Sequence, residues 1–219
     1  MTDFEAARRM MVDGQVRTAD VTDLRVITAM LEVPRERFVP AESAGLAYVD
    51  LDLPVGAGKG GARKLLKPMV LGKLIQAAEL KATDRVLDAG CATGYSSAIL
   101  AQIAGEVVAL EQDSDLARRA TESLRGAGNV QVVAGDLKAG WPPGAPYDAI
   151  LLGGATEVDP DALLGQLADG GRLLCVLGGG PGAKATLYRK SDDGIGVRPI
   201  FDARAAVLPG FSKQPAFAF

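Results

Sequence analysis

Two spacings of apolar residues divide this chain. From residue 86 onward, short apolar runs alternate with stretches in which apolar residues recur every three or four positions. Residues 85–88, 107–111, Val130-Gln131-Val132-Val133, residues 147–152 and residues 172–177 have the pattern of strands buried on both faces. Between them the spacing predicts helices over about 94–104 and 113–125, the second begun by Asp113 and Asp115. A third is predicted to start at Asp159 or Asp161 and to be capped by Gly170-Gly171. Residues 185–190 and 197–203 predict an antiparallel pair turning at Ser191-Asp192-Asp193-Gly194. Strands alternating with helices define an α/β, doubly wound class with a mostly parallel sheet.

The first eighty residues read differently. Phe4, Ala7, Met10 and Met11 predict a helix over about 3–13. A second helix, capped by Thr22 or Asp23, carries Leu24, Ile27, Met30 and Leu31 on one face and stops at Pro34. Residues 47–55 alternate like a short exposed strand, and the glycine-rich, basic residues 56–64 predict a flexible loop. Pro68 then opens a helix with Met69, Leu71, Leu74, Ile75 and Ala78 inward. The expected organisation is an N-terminal helical arm with a lid segment over 1–80, and a core over 81–219.

Composition narrows the chemistry. The chain has 219 residues and not one histidine, which excludes Ser-His-Asp and Cys-His catalysis and removes the commonest metal ligand. No metal is expected. Cys91 and Cys175 form no C-x-x-C pair, so reduced thiols are expected. No apolar run is long enough to span a bilayer, and the acidic start Met1-Thr2-Asp3-Phe4-Glu5 is unlike a signal peptide, so the expected location is cytoplasmic. A net charge of −3 argues against nucleic acid as a partner.

One stretch organises the rest. Val86-Leu87-Asp88-Ala89-Gly90-Cys91-Ala92-Thr93-Gly94-Tyr95-Ser96-Ser97 reads as a buried strand, a small-residue turn and the start of a helix. Small residues let a backbone approach a ligand closely, and the helix start points N–H groups at it. The spacing is D-x-G-x-A-x-G, unlike the G-x-G-x-x-G of dinucleotide sites. Glu111 ends the next strand, about where a ribose diol needs an acceptor. The pattern looks like the S-adenosylmethionine site of a class I methyltransferase; a dinucleotide site or a purely structural turn are the alternatives.

Further blocks carry a closer resemblance. Residues 11–16 (Met-Val-Asp-Gly-Gln-Val), 33–40 (Val-Pro-Arg-Glu-Arg-Phe-Val-Pro), 47–50, 53–56, 145–150 and 166–173 together resemble the protein-L-isoaspartate O-methyltransferase family over nearly the whole chain. The resemblance implies a seven-strand Rossmann-like sheet and S-adenosyl-L-methionine as cofactor. The implied acceptor is the carboxylate of an isoaspartyl residue in a protein or peptide, methylated to begin repair; a small anionic molecule is the other acceptor considered. It implies that Asp88, Gly90, Ala92 and Gly94, with Ala89 and Thr93, cradle the amino-acid part of the cofactor. Glu111 with Gln112 would hold the ribose, and Asp136 with Leu137 the adenine.

The acceptor block departs from the family. Where the family reads Gly-x-Gly-Gln-Thr-Ile-Ser-x-Pro, this chain is longer between Gly56 and Pro68, and Lys64 and Leu66 fall at the threonine and serine positions. Arg63, Lys64, Leu66 and Lys67 are therefore the acceptor-side candidates, and isoaspartyl activity is expected to be weak or absent. A non-catalytic relative binding the cofactor or a partner is the alternative function.

Overall fold

A computed structural model describes residues 3–58 and 61–213. Its centre is a seven-stranded sheet in which β3 (Arg85–Ala89), β4 (Glu106–Glu111), β5 (Val130–Ala134), β6 (Tyr147–Thr156) and β7 (Leu167–Leu177) are parallel. The hairpin β8 (Lys184–Ser191) and β9 (Gly194–Asp202) adds antiparallel to β7, completing the order β5-β4-β3-β6-β7-β8-β9. The expected doubly wound sheet is what forms.

Alternation within the strands explains why they read as continuous apolar runs. Val86, Val107, Ala109, Ala149, Leu151, Leu174 and Val176 face one core, while Leu87, Val108, Leu110, Ile150, Leu152, Leu173 and Cys175 face the other. Successive side chains point to opposite faces, so a strand covered on both sides must be apolar at every position. The first core also takes in α2 (Leu24–Glu32), α3 (Pro68–Ala77), α4 (Tyr95–Ala101) and α5 (Ser114–Ser123), whose inward residues include Met30, Leu71, Ile99 and Leu116. The second is closed by α6 (Asp161–Leu164) and by Leu208 and Phe211 near the C-terminus.

Both helices of the N-terminal arm form where the periodicity predicts them, although Met10, expected on the inner face of the first, is 67% exposed. The helix α1 (Phe4–Met11) begins at Asp3, whose carboxylate accepts from the Ala6 N–H at 3.0 Å, and runs into a wider π turn, Val12–Val16. Asp23 caps α2 through the Arg25 N–H at 2.9 Å. Leu24, expected on the inner face, is 69% exposed, because the buried stripe is set by Val26, Ile27, Ala29 and Met30.

Four expectations change. The strand expected over 47–55 starts only at Leu53, and the loop expected over 56–64 is largely paired: β1 (Leu53–Gly58) runs antiparallel to β2 (Gly61–Leu65) as a separate two-stranded sheet. Lys59 and Gly60 lie outside the described residues. Leu53, Val55 and Leu65 are buried, so this hairpin is anchored by apolar contacts that a glycine count does not register. Gly170-Gly171 do not cap a helix. The helix α6 has already ended at Gly165, and these glycines sit in a bulge of β7 between Leu167, paired with Tyr147, and Arg172, paired with Ala149. Met69 is only half-buried, its inward place taken by Val70.

The strand order positions the site. After β3 the chain builds outward through β4 and β5, then returns to lay β6 on the other side of β3. Open α/β sheets hold ligands at the carboxyl ends of strands where the order reverses in this way. Among the described residues, no helix is long and apolar enough to cross a membrane. Both cysteines are free and buried.

Candidate active site

The turn after β3 folds over the end of β4: the N–H groups of Gly90 and Cys91 both donate to the Leu110 carbonyl, at 2.8 and 3.2 Å. This needs left-handed backbone at Gly90 (φ 83°) and at Gly94 (φ 94°), which glycine adopts without steric cost. Ala92 shares that conformation at φ 53°. A side chain would not fit across from it either. A Cβ on Gly153 of β6 would lie 2.4 Å from the Gly90 carbonyl oxygen, so the glycine in β6 lets its backbone meet the turn at the switch point.

Glu111 is fully buried at the end of β4. Its Oε1 accepts from the N–H groups of Gln112 and Asp113 at 2.8 and 3.1 Å. Its Oε2 accepts from the Ala92 N–H and from Arg63 Nη2, each at 2.8 Å. Arg63 Nη2 also donates to the Gly90 carbonyl at 3.0 Å. The acid that the sequence singled out is therefore joined both to the glycine turn and to the hairpin.

Asp88, at the end of β3, is also fully buried. The hydroxyls of Ser96 and Ser97 in α4 both donate to its Oδ2 at 2.6 Å. Its Oδ1 has no partner among the described residues. Burial pushes the Asp88 carboxyl up to about 6, and the two serine bonds only partly oppose this. Thr93 Oγ1 donates to the Phe38 carbonyl at 2.5 Å, tying the turn to the arm.

The remaining predicted residues divide. Ala89 and Leu137 are wholly buried, Leu137 in the second core. Asp136, just past β5, is exposed, with its Oδ1 accepting from the Lys138 N–H at 2.9 Å. The four acceptor-side candidates are not one cluster. Arg63 is buried and turned to Glu111, whereas Lys67 approaches Asp50 at 4.0 Å and its N–H is capped by Asp52. Leu66 is buried, and its carbonyl accepts from the Arg35 Nη2 at 2.9 Å. Lys64 and Leu66 do share a small cavity with Gly90, Ala92, Tyr95 and Gly153.

Residue-by-residue reading missed Ser96, Ser97, Gly153 and Leu208. A glycine inside a strand pattern signals close backbone approach and was available at Gly153-Gly154. Hydroxyls in the first turn after the glycines signalled Ser96 and Ser97. Leu208 had no such signal: it reaches Gly90 and Gly154 because residues 206–211 run back over β6, with the Leu208 N–H donating to the Ala155 carbonyl at 2.9 Å.

The donor set suits an adenosyl cofactor with an amino-acid tail. Glu111 at the end of β4 would accept from a ribose diol, and the buried Asp88 Oδ1 has no partner among the described residues. The cavity lined by Gly90, Cys91, Ala92 and Ser96 measures about 10 Å³, against roughly 300–1,000 Å³ for a small-molecule site.

This sheet, switch point and acid-flanked glycine turn define a class I, Rossmann-like methyltransferase. The solved structures agree on the fold. A protein-L-isoaspartate O-methyltransferase structure superposes with a TM-score of 0.80 over 93% of this chain at 24% identity, and this chain spans 66% of that longer one. A Plasmodium falciparum structure assigned to the same family, in complex with S-adenosyl-L-homocysteine, gives 0.75 over 95% of this chain and 99% of its own, at 18% identity. The family model for protein-L-isoaspartate(D-aspartate) O-methyltransferase matches residues 7–202, and the chain belongs to that family. It is 41% identical over 213 residues to protein-L-isoaspartate O-methyltransferase 1 of Rhodopseudomonas palustris, covering 95% of this chain and 85% of that one. Against the Roseiflexus castenholzii enzyme it is 37% identical over 210 residues, covering 95% and 94%. By family the chain is an S-adenosylmethionine-dependent methyltransferase, and the non-catalytic alternative is not favoured.

Proposed function

We propose that this chain esterifies the free carboxylate of isoaspartyl residues in proteins or peptides. The observation that carries the reading is the family match from residue 7 to residue 202, which spans the arm, the acceptor segment and the cofactor turn together. Nucleic acid is not among the proposed partners, given the net charge of −3. Two free, buried cysteines support a reducing compartment, the cytoplasm.

S-adenosylmethionine supplies a methyl group on a positively charged sulfur. Glu111 and Gln112 would hold its ribose, Asp136 and Leu137 its adenine, and Asp88, Ala89, Gly90, Ala92, Thr93 and Gly94 its amino-acid part. Ser96 and Ser97 orient the Asp88 carboxylate. An acceptor carboxylate, with a pKa near 4, is already ionised at neutral pH and needs no general base, which suits a chain without histidine. Alignment of the two bound groups is then the main contribution, worth roughly 7 to 11 kcal/mol. Lys64 and Lys67 supply positive charge on the acceptor side, and the buried Leu66 a dry wall. The residues 56–67 act as a lid, excluding water from the reacting groups.

Incubation with radiolabelled donor and a matched pair of peptides tests this. Base-labile label is expected on the isoaspartyl peptide and not on its aspartyl twin. Label on neither, with the donor shown to bind, overturns the reading.

A further inference from the structure

Arg63 holds a position that the proposed reaction does not explain. It reaches from β2 across to the end of β4, only 4% exposed, and its guanidinium meets Glu111 at 2.8 Å and the Gly90 carbonyl at 3.0 Å. An ionised carboxylate offers about four acceptor positions. Those of Glu111 go to Ala92, Gln112, Asp113 and Arg63. Three of these donors are backbone N–H groups fixed by the turn and the strand end. Arg63 is the only side chain among them, so a ligand hydroxyl can reach Glu111 most readily in its place.

We propose that Arg63 is a displaceable latch: it caps Glu111 while the cofactor is absent, and the ribose hydroxyls enter by driving it out. The inference rests on the proposed use of Glu111 as the ribose acceptor. Two features of the hairpin suit a side chain that leaves. The two strands β1 and β2 form their own sheet, so the Arg63 side chain can swing out while Leu53, Val55 and Leu65 stay seated and the pairing of the seven-stranded sheet is untouched. Its guanidinium is also incompletely satisfied, because the buried Nε has no partner among the described residues, and release to water supplies one. A Cβ on Gly90 would lie 3.0 Å from Arg63 Nη2 and 3.3 Å from Leu208 Cδ1, so the guanidinium and Leu208 together cover the turn that the cofactor must reach.

The latch lowers the apparent affinity of the cofactor. Only the fraction of molecules with Arg63 withdrawn is competent, and the apparent Kd rises by the inverse of that fraction. The experiment is calorimetric titration of S-adenosyl-L-homocysteine into wild type and Arg63→Met, which keeps the aliphatic stem but not the charge. The variant is expected to bind at least tenfold more tightly, while its ligand-free melting temperature falls because Glu111 loses its counter-ion. Stopped-flow association should level off with ligand concentration in wild type and stay linear in the variant. Equal or weaker binding by Arg63→Met overturns the latch while leaving the methyltransferase reading in place. If neither protein binds, both fall. Should Arg63→Met fail to fold, Arg63→Lys retains the charge with a poorer fit; tighter binding than wild type supports the latch, and an unchanged Kd overturns it.

Discussion

The Arg172 guanidinium closes on the Asp84 carboxylate at 2.5 Å, with both side chains under a tenth exposed. From β7, Arg172 also donates to the carbonyls of Ala78 and Glu79 just past α3 and of Asp148 in β6. One side chain thus pins the end of α3 to the sheet that carries the glycine turn. Arg172→Met leaves a buried carboxylate and three carbonyls without that partner. The expected loss is about 3–5 kcal/mol, read by urea unfolding; a loss under about 1 kcal/mol would show that the neighbouring structure relaxes to replace these bonds.

Asp88 makes stability depend on pH in an uncommon direction. Its carboxyl sits at about 6 in the folded protein, against a usual 3.8, so the native state holds the proton more tightly than the unfolded chain. Stability is therefore highest below about pH 4 as far as this group is concerned, and falls as pH rises towards 6. At neutral pH the ionised group costs up to about 3 kcal/mol. Asp88→Asn should lack this fall, and the difference between wild-type and variant unfolding free energies across pH 4–7 measures it. A difference that does not change with pH would mean the carboxyl titrates normally.

Glu111→Gln replaces one acceptor oxygen by a donor while preserving shape. It is expected to weaken binding of S-adenosyl-L-homocysteine at least tenfold, in line with roughly 1.5–3 kcal/mol for a hydrogen bond to a charged group. Calorimetry checks this, with circular dichroism to confirm the fold. An unchanged Kd would reduce Glu111 to a structural acid that organises the turn.

Gly153→Ala places a methyl 2.4 Å from the Gly90 carbonyl oxygen, which forces β6 or the turn to move. Overpacking of this kind costs about 1–3 kcal/mol, and here it should also weaken cofactor binding. Gly180→Ala is the control, since nothing lies within 4 Å of its added methyl. Both proteins melting and binding alike would show that the switch point tolerates a side chain.

Leu66→Ser puts a hydroxyl on the buried position that the resemblance sets against the family's serine. Its expected effect is a roughly tenfold rise in kcat/KM for an isoaspartyl peptide, about 1.4 kcal/mol, near the lower end for a hydrogen bond to a charged group. Stability should fall at the same time, because Leu66 is buried. A fall in kcat/KM with donor affinity unchanged would mean that the apolar wall, not a missing hydroxyl, suits this acceptor.

Much of the architecture could be read from the chain alone. Alternating apolar runs and helical spacings specified the sheet, because a strand buried on both faces has no choice but to be apolar throughout. Local backbone chemistry likewise placed the helix starts at Asp23 and Asp113, which satisfy N–H groups within three residues of themselves. Asp88, Gly90, Gly94 and Glu111 were legible for the same reason: their spacing follows from one strand–turn–helix unit and the strand beside it. What tertiary structure alone decided lies between segments distant in sequence. A glycine-rich, basic stretch reads as solvated loop, yet Arg63 is buried against an acid 48 positions away, because Leu53, Val55 and Leu65 anchor the hairpin that carries it. Leu208 covers the glycine turn only because the chain returns along β6, and Gly153 matters only because Gly90 faces it. Pairings of this kind are set by which surfaces meet when the sheet is assembled, and no periodicity within a single segment records them.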